Sequence, residues 1–330
     1  MTTSSLNIDA RNTVLQKILC SSQNKAFCTI TYPAEVIKDL ATVTIIYTPS
    51  SPSRIPLLYK YTEDFQSYVQ SFGISICLLE SITDNQNFVL TKPHSEPSFI
   101  QVKNNQHFFK RENLLNVAIK KLLKQTEWQI FAWIDAHQMF SNNYWWEETI
   151  LKASKAGVVQ LFQTEVYANP WNLTTTFSGF GSVYEMGLVK EIDEKLGIPF
   201  YGNAWAVSRD LYEKIEYIYD QGVGGSTDFI FATCARNNKL LPWEKFETDT
   251  YYKIAVPWMK RVVPIFNDRA TFIRGNLRHF EHERTFYYSA AIDYIKANYV
   301  HTSFLNVLHR EEDFTLIVND PNFANFESRW

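Results

Sequence analysis

The sequence predicts an α/β fold with a mostly parallel central sheet, helices on both faces and an elaborated C-terminal half. Three observations predict it. Short apolar runs alternate with segments of helical periodicity through the first half of the chain. The runs are apolar throughout, as strands buried on both faces are. No internal repeat or low-complexity linker interrupts the 330 residues, so one domain accommodates them.

Residues 1–40 read as a helical and irregular lead-in, and 41–330 as a single domain. Thr42 to Tyr47 is the first buried strand and ends at the turn-forming run Pro49-Ser50-Ser51-Pro52. A helix is expected from Leu57 to Phe72, then a strand from Gly73 to Glu80. Leu114, Leu115, Val117, Ala118 and Leu122 give Arg111 to Lys124 helical spacing. The apolar run Gln129 to Ile134, a helix from Trp145 to Ala156 and a strand from Val158 to Phe162 continue the alternation. In the second half, Tyr201 to Val207 reads as a strand feeding a helix from Arg209 to Ile218. Gly222-Val223-Gly224-Gly225 is a loop before a helix beginning near Asp228, and an amphipathic helix spans Arg284 to Tyr299. In such a sheet the ligand site lies beyond the carboxyl ends of the strands.

Charge is nearly balanced, 32 Lys and Arg against 35 Asp and Glu, so no general attraction to nucleic acid is implied and any phosphate must be held locally. The N-terminal stretch has no basic patch followed by an apolar run, and no segment approaches a membrane span, so a soluble, cytoplasmic protein is expected. Cys20, Cys28, Cys77 and Cys234 lack zinc-type or redox spacing and read as free thiols. The chain holds 9 Trp, 18 Tyr and 24 Phe, rings that pack cores and also stack on sugars and bases.

Chemistry is most visible at Trp133-Ile134-Asp135-Ala136-His137, an apolar strand ending in a carboxylate and an imidazole two residues apart. In an extended chain both side chains point the same way, where they could share a divalent cation such as Mn2+ or Mg2+. The plainer alternative is that Asp135 caps a turn and His137 is solvated.

Around this strand the sequence resembles the GT-A glycosyltransferases, the Rossmann-like nucleotide-diphospho-sugar transferases, and most closely the β-1,4-galactosyltransferase type. Phe109-Lys110-Arg111-Glu112-Asn113-Leu114-Leu115-Asn116-Val117-Ala118 is similar to that family's F-x-R-x-x-L-L-N-V-G helix, with Ala118 in place of glycine. Ile134 to His137 is similar to its strand-end D-x-D, and Tyr201 to Ser208 to Y-F-G-G-V-x-A-L-S. Gly224 to Phe231 is similar to G-G-E-D-D-D-I-F, and Leu277-Arg278-His279 to I-R-H.

The resemblance implies a metal-dependent transfer of a sugar from a nucleotide-sugar donor, UDP-linked by preference, to a glycan or protein hydroxyl, with inversion. It divides the domain into a nucleotide-sugar half, 41–165, and an acceptor half, 166–330. Asp135, His137 and His279 are the implied metal ligands; His282, three residues further on, could reach the same cation as His279 if this segment turns, although a surface pair of histidines would look the same. His137 replaces a carboxylate, and Asn276 stands where the family has a thioether. Without gaps the family's catalytic base aligns with Thr227; a one-residue shift in the glycine-rich loop brings Asp228 there, although an Asp in this place also serves as a helix N-cap. The implied donor contacts are Tyr47 on the base, Thr48, Arg54 on a phosphate, Glu80, Arg111, Asn116, Asp135 and Trp205. Trp205 reads equally as a sugar platform or as core.

Other functions need features that are missing or different. A nucleotidyltransferase uses a Gly-rich phosphate loop with an appended Lys or Arg, and Ser50 to Arg54 contains no glycine. A zinc hydrolase built on His279, His282 and Asp135 needs a third close ligand and an open water position. A relic that binds a nucleotide sugar or glycan without turnover is suggested by His137 and Thr227, and sugar release in the presence of donor and metal separates it from an enzyme.

Overall fold

The computed structural model describes residues 40–47, 74–83, 99–104, 111–125, 128–135, 138–168, 174–179, 201–202, 204–221, 227–236, 243–249, 252–280, 308–310 and 316–318, with a few isolated positions besides. The expected lead-in apart from Leu40, the loop Gly222 to Gly225, the helix Arg284 to Tyr299 and all but scattered residues of the helix Leu57 to Phe72 lie outside them.

Strands β1 (Leu40–Tyr47), β2 (Ser75–Thr83) and β3 (Phe99–Asn104) precede helix α1 (Arg111–Gln125) and strand β4 (Ile130–Trp133). Then come β5 (Gln138–Phe140), α2 (Trp145–Ala156), β6 (Val158–Gln160), β7 (Thr164–Ala168) and β8 (Thr174–Ser178). The expected strands near 42–47, 73–80, 129–134 and 158–162 and the helices at 111–124 and 145–156 are present, and β3, β5, β7 and β8 are additions to them. The second half supplies β9 (Trp205–Ser208), α3 (Arg209–Ile215), α4 (Thr227–Ala235), α5 (Trp243–Thr248) and α6 (Val256–Phe266). Four short strands follow: β10 (Thr271–Phe272), β11 (Asn276–Phe280), β12 (Leu308–Arg310) and β13 (Leu316–Val318).

The main sheet has seven strands in the order β10-β6-β9-β4-β1-β2-β3. All its pairs are parallel except those of β9, which runs antiparallel to both β4 and β6. This is the mostly parallel α/β sheet that the sequence predicts. Because β9 and β10 come from the second half and complete a sheet begun in the first, the two halves interleave.

Strand periodicity explains why the central runs are apolar at every position. Phe131 and Trp133 of β4, Cys77 and Leu79 of β2, and Trp205 and Val207 of β9 pack on one face with Leu114, Leu115, Phe231 and Met259 from α1, α4 and α6. Ile130 and Ala132, Ile76 and Leu78, and Ala206 pack on the other face with Trp145, Trp146 and Ile150 of α2. Ala132 and Ala206 stand directly opposite each other in the β4–β9 pair, and small residues there leave room for the α2 indoles. At the end of α2, Gly157 adopts φ 83°, and a Cβ there would meet Leu211 Cδ2 at 3.0 Å.

Several boundaries differ from the expected ones. Helix α3 stops at Ile215, three residues early, because Glu216 turns to φ 67° while its N–H still donates to the Tyr212 carbonyl. Strand β9 starts at Trp205 and not at Tyr201. Helix α6, absent from the sequence reading, contains Pro257 in its first turn and Pro264 further along, residues that disguise a helix. The second sheet, in the order β5-β11-β7-β8, was also not anticipated. Among the described residues no helix is long and apolar enough to cross a membrane.

Candidate functional site

The strand order locates the site. From β1 the chain moves outward to β2 and β3, and α1 then carries it back across to β4 on the other side of β1. In open α/β sheets ligands bind beyond the carboxyl ends of the strands next to such a reversal. Tyr47 ends β1 here, and Asp135 follows the end of β4 by two residues. Arg111, at the N-terminus of the crossover helix α1, reaches the same place, as does Asp228 in the first turn of α4.

One guanidinium joins the two carboxylates. Arg111 Nε and Nη2 lie 3.1 and 2.9 Å from Asp135 Oδ1, and Nη1 lies 3.1 Å from Asp228 Oδ2 and 3.4 Å from its Oδ1. The Arg111 side chain is 8% exposed, those of Asp135 and Asp228 22% and 19%. A buried guanidinium must be paired, and this one is held by residues 24 and 117 positions away in sequence.

A third carboxylate, Glu112, lies 3.7 Å from Arg111 Nη1. Burial pushes its pKa up to about 8, with the negative charges of Asp228 and Asp135 adding to the effect and Arg111 opposing it. The sequence reading missed Glu112, although a signal was present. Residues 115, 116 and 119 share its helical face and are all buried, so a charge at 112 had to enter the interior with them.

Two local bonds shape the corner after β4. The Gln138 N–H donates to the Asp135 carbonyl at 3.2 Å, and the Asp135 N–H donates to Gln138 Oε1 at 3.3 Å. Ala136 and His137, over which the pairing of Asp135 with His137 was argued, lie outside the described residues. Gln138 also pairs through its backbone with His279 of β11. The expected ligand His279 is thus brought to the corner by sheet register, opposite a residue three positions from Asp135.

Three expected donor contacts are buried and have partners within the fold. Asn116 is buried and its amide is fully used: Nδ2 donates to the Ile218 carbonyl at 2.7 Å and to Asp220 Oδ2 at 3.1 Å, while Oδ1 accepts from Ile218 N–H at 2.9 Å and Tyr212 OH at 3.2 Å. With Asn113, which donates to the same Asp220 oxygen at 3.0 Å, it ties α1 to the segment that leads toward α4. Trp205 is enclosed in the core, edge-on to Phe231 at 5.6 Å, with its indole N–H on the Tyr201 carbonyl at 2.8 Å. A ring without exposed face cannot carry a sugar, so its core alternative holds. Glu80 lies inside β2 and not at its end, buried, accepting from Gln101 of the neighbouring strand at 3.4 Å. Tyr47 is placed by its backbone alone, opposite Ser81. Thr48, Arg54, His137 and His282 lie outside the described residues.

Among the described residues no three His, Cys, Asp or Glu side chains converge as a metal site. Of the expected ligands, Asp135 is the one with a described side chain. Both Arg111 contacts fall on its Oδ1, so its Oδ2 suits a hard divalent cation without giving up the ion pair.

No protein-family model matches the chain, and no curated protein sequence does. Solved structures are similar at low identity. A mannosyltransferase from Pyrobaculum calidifontis in complex with GDP-Man and Mn2+ matches over 97% of this chain and 76% of its own, at 12% identity and a TM-score of 0.43. A mutant Drosophila β-1,4-galactosyltransferase 7 in complex with manganese, UDP-Gal and xylobiose matches over 87% and 98%, at 11% identity and 0.39. The 4-diphosphocytidyl-2C-methyl-D-erythritol synthase of Anaerococcus prevotii matches over 90% and 98%, at 12% identity and 0.34.

Proposed function

We propose that this chain is a GT-A glycosyltransferase that moves a sugar from a nucleoside diphosphate, UDP by preference, to a hydroxyl of a glycan or protein. The observation that carries the reading is the meeting of Asp135, Arg111 and Asp228 at the switch point of a mostly parallel sheet. A nucleotide sugar needs a cationic group for its diphosphate and a carboxylate for the attacking hydroxyl, and both kinds meet here.

In this reading Asp228 is the base. It takes the proton from the acceptor hydroxyl as that oxygen bonds to the anomeric carbon, and the bond to the diphosphate oxygen breaks with its electron pair leaving on the nucleoside diphosphate. A single displacement inverts the anomeric centre. Arg111 offsets charge on the departing diphosphate. Asp135 Oδ2, with His137, His279 and His282 as further candidates, is suited to hold Mn2+ or Mg2+, which when bound would offset more of that charge.

The test is a panel of UDP- and GDP-sugars with Mn2+, Mg2+ or EDTA, following release of free nucleoside diphosphate by the purified protein. Metal-dependent release from one donor is the expected result. Binding of a donor without any release, with or without candidate acceptors, would identify the relic instead, and no binding of any donor would refute the reading.

A further inference from the structure

Glu112 has no part in the functional reading, yet it sits against the group that would meet the donor. Its side chain is 6% exposed and lies 3.7 Å from Arg111 Nη1, the nitrogen that also donates to Asp228. The pattern F-x-R-x-x-L-L-N-V-G leaves the position after the arginine open, so the resemblance does not account for a glutamate there. Among the described residues the charges that act on Glu112 are Arg111 beside it on α1, Asp228 in the first turn of α4 and Asp135 beyond β4. A buried carboxylate at this distance changes the potential at the guanidinium by its charge alone, whatever else the guanidinium touches, because little water screens the pair.

We propose that Glu112 is a positioning residue that acts through Arg111: neutral, it leaves the guanidinium's charge to the donor diphosphate, and ionised, it opposes the phosphates. This rests on the functional reading above. Two anions then share the field of one cation, so a bound diphosphate favours the protonated carboxyl, and a protonated carboxyl favours the diphosphate by the same factor.

Burial sets where this coupling is felt. Together with Asp228 and Asp135, and against the opposing effect of Arg111, it holds the Glu112 pKa up to about 8. Below that value the group is neutral and adds no charge against the nucleotide. As pH rises through about 8 the free protein loses the proton, and the nucleotide either draws it back or binds beside a further anion. Affinity therefore falls across that range, and proton uptake accompanies binding. A Glu112 with a structural role alone gives neither effect.

The experiment is calorimetric titration of UDP, and separately GDP, at one fixed Mn2+ concentration into the wild-type chain and Glu112→Gln, from about pH 6 to about pH 8.5. Glu112→Met supplies a second neutral side chain of similar length should the amide variant not show an intact thermal transition. Every other contact of Arg111 and every other titrating group, the nucleotide's phosphates included, is common to the proteins and cancels in the ratio of affinities. The expected ratio is close to one at about pH 6, with the variant about three- to tenfold tighter at about pH 8.5. In two buffers of different ionisation enthalpy at about pH 8, the wild-type chain should take up more proton per nucleotide than the variant. A ratio that stays constant with pH, tighter binding by the wild-type chain at the alkaline end, or no proton uptake by the wild-type chain overturns the proposal while leaving the glycosyltransferase reading intact. Failure of the wild-type chain to bind either nucleotide at any pH overturns both.

Discussion

Replacing Glu112 by glutamine isolates one buried charge and gives a stability effect with a defined pH course. The amide side chain would fill the same space without titrating. In the native chain the Glu112 carboxyl is pushed from its ordinary 4.5 up to about 8, chiefly by burial. Its folded pKa therefore lies above its unfolded value. Below pH 4.5 the group is protonated in both states and costs nothing. Between 4.5 and about 8 the unfolded chain ionises and the folded one resists, so native stability falls as pH rises, then levels off once the folded form also ionises. Each pH unit in that window is worth about 1.4 kcal/mol, which sums to an upper limit of roughly 4 kcal/mol at about pH 8. Urea unfolding of both proteins at half-unit steps from about pH 5 to 8 measures the difference directly, because Asp135, Asp228 and every other titrating group are common to the two. The Glu112→Gln variant should gain on the native chain steadily with pH. A difference that stays constant across that range would show that Glu112 is ionised throughout, and the account of a burial-dominated cluster would be wrong.

Three further substitutions separate site residues from scaffold. Asn116→Ala removes four buried hydrogen bonds and leaves the Ile218 backbone, Tyr212 and Asp220 each short of a partner, a loss of roughly 3 kcal/mol or more in chemical denaturation. Trp205→Ala should cost roughly 3–5 kcal/mol as a core cavity, and its nucleotide affinity under stabilising conditions should match the native chain; a selective loss of affinity would return Trp205 to the site. Asp135→Asn removes the charge that both orients Arg111 and faces the proposed cation, so UDP affinity in Mn2+ should drop about tenfold or more, and its difference with and without EDTA should shrink. Unchanged affinity measured by calorimetry would remove Asp135 from the donor site.

Much of the fold was legible because its information is local. Strand β4 and helix α2 are bounded close to expectation, since apolar runs and helical periodicity report burial directly. Asp135 stood out as a carboxylate just past a buried strand and Asp228 through the resemblance of Gly224 to Phe231, and the structure brings both to Arg111. The burial of Glu112 was legible in the helical spacing of α1 but masked by the ordinary expectation that a Glu in a first turn is solvated. The second sheet was not legible. Its strands are three to five residues long, and a run such as Thr174-Thr175-Thr176-Phe177-Ser178 has no apolar pattern to announce it.

The residues themselves determined that strands and helices alternate, that the central sheet is buried on both faces, and which side chains carry charge near the strand ends, because these follow from the order of apolar and polar groups along a chain of known geometry. Tertiary structure decided which of those groups meet. Asn116 and Arg111 lie five residues apart on one helix, yet one closes a buried network and the other joins two carboxylates from distant elements. Their side chains leave the helix in different directions, and what each one finds depends on sheet order and on strand register, which pairs His279 with Gln138. Those pairings are set by the sum of many weak contacts across the whole core, and no short stretch of sequence contains that sum.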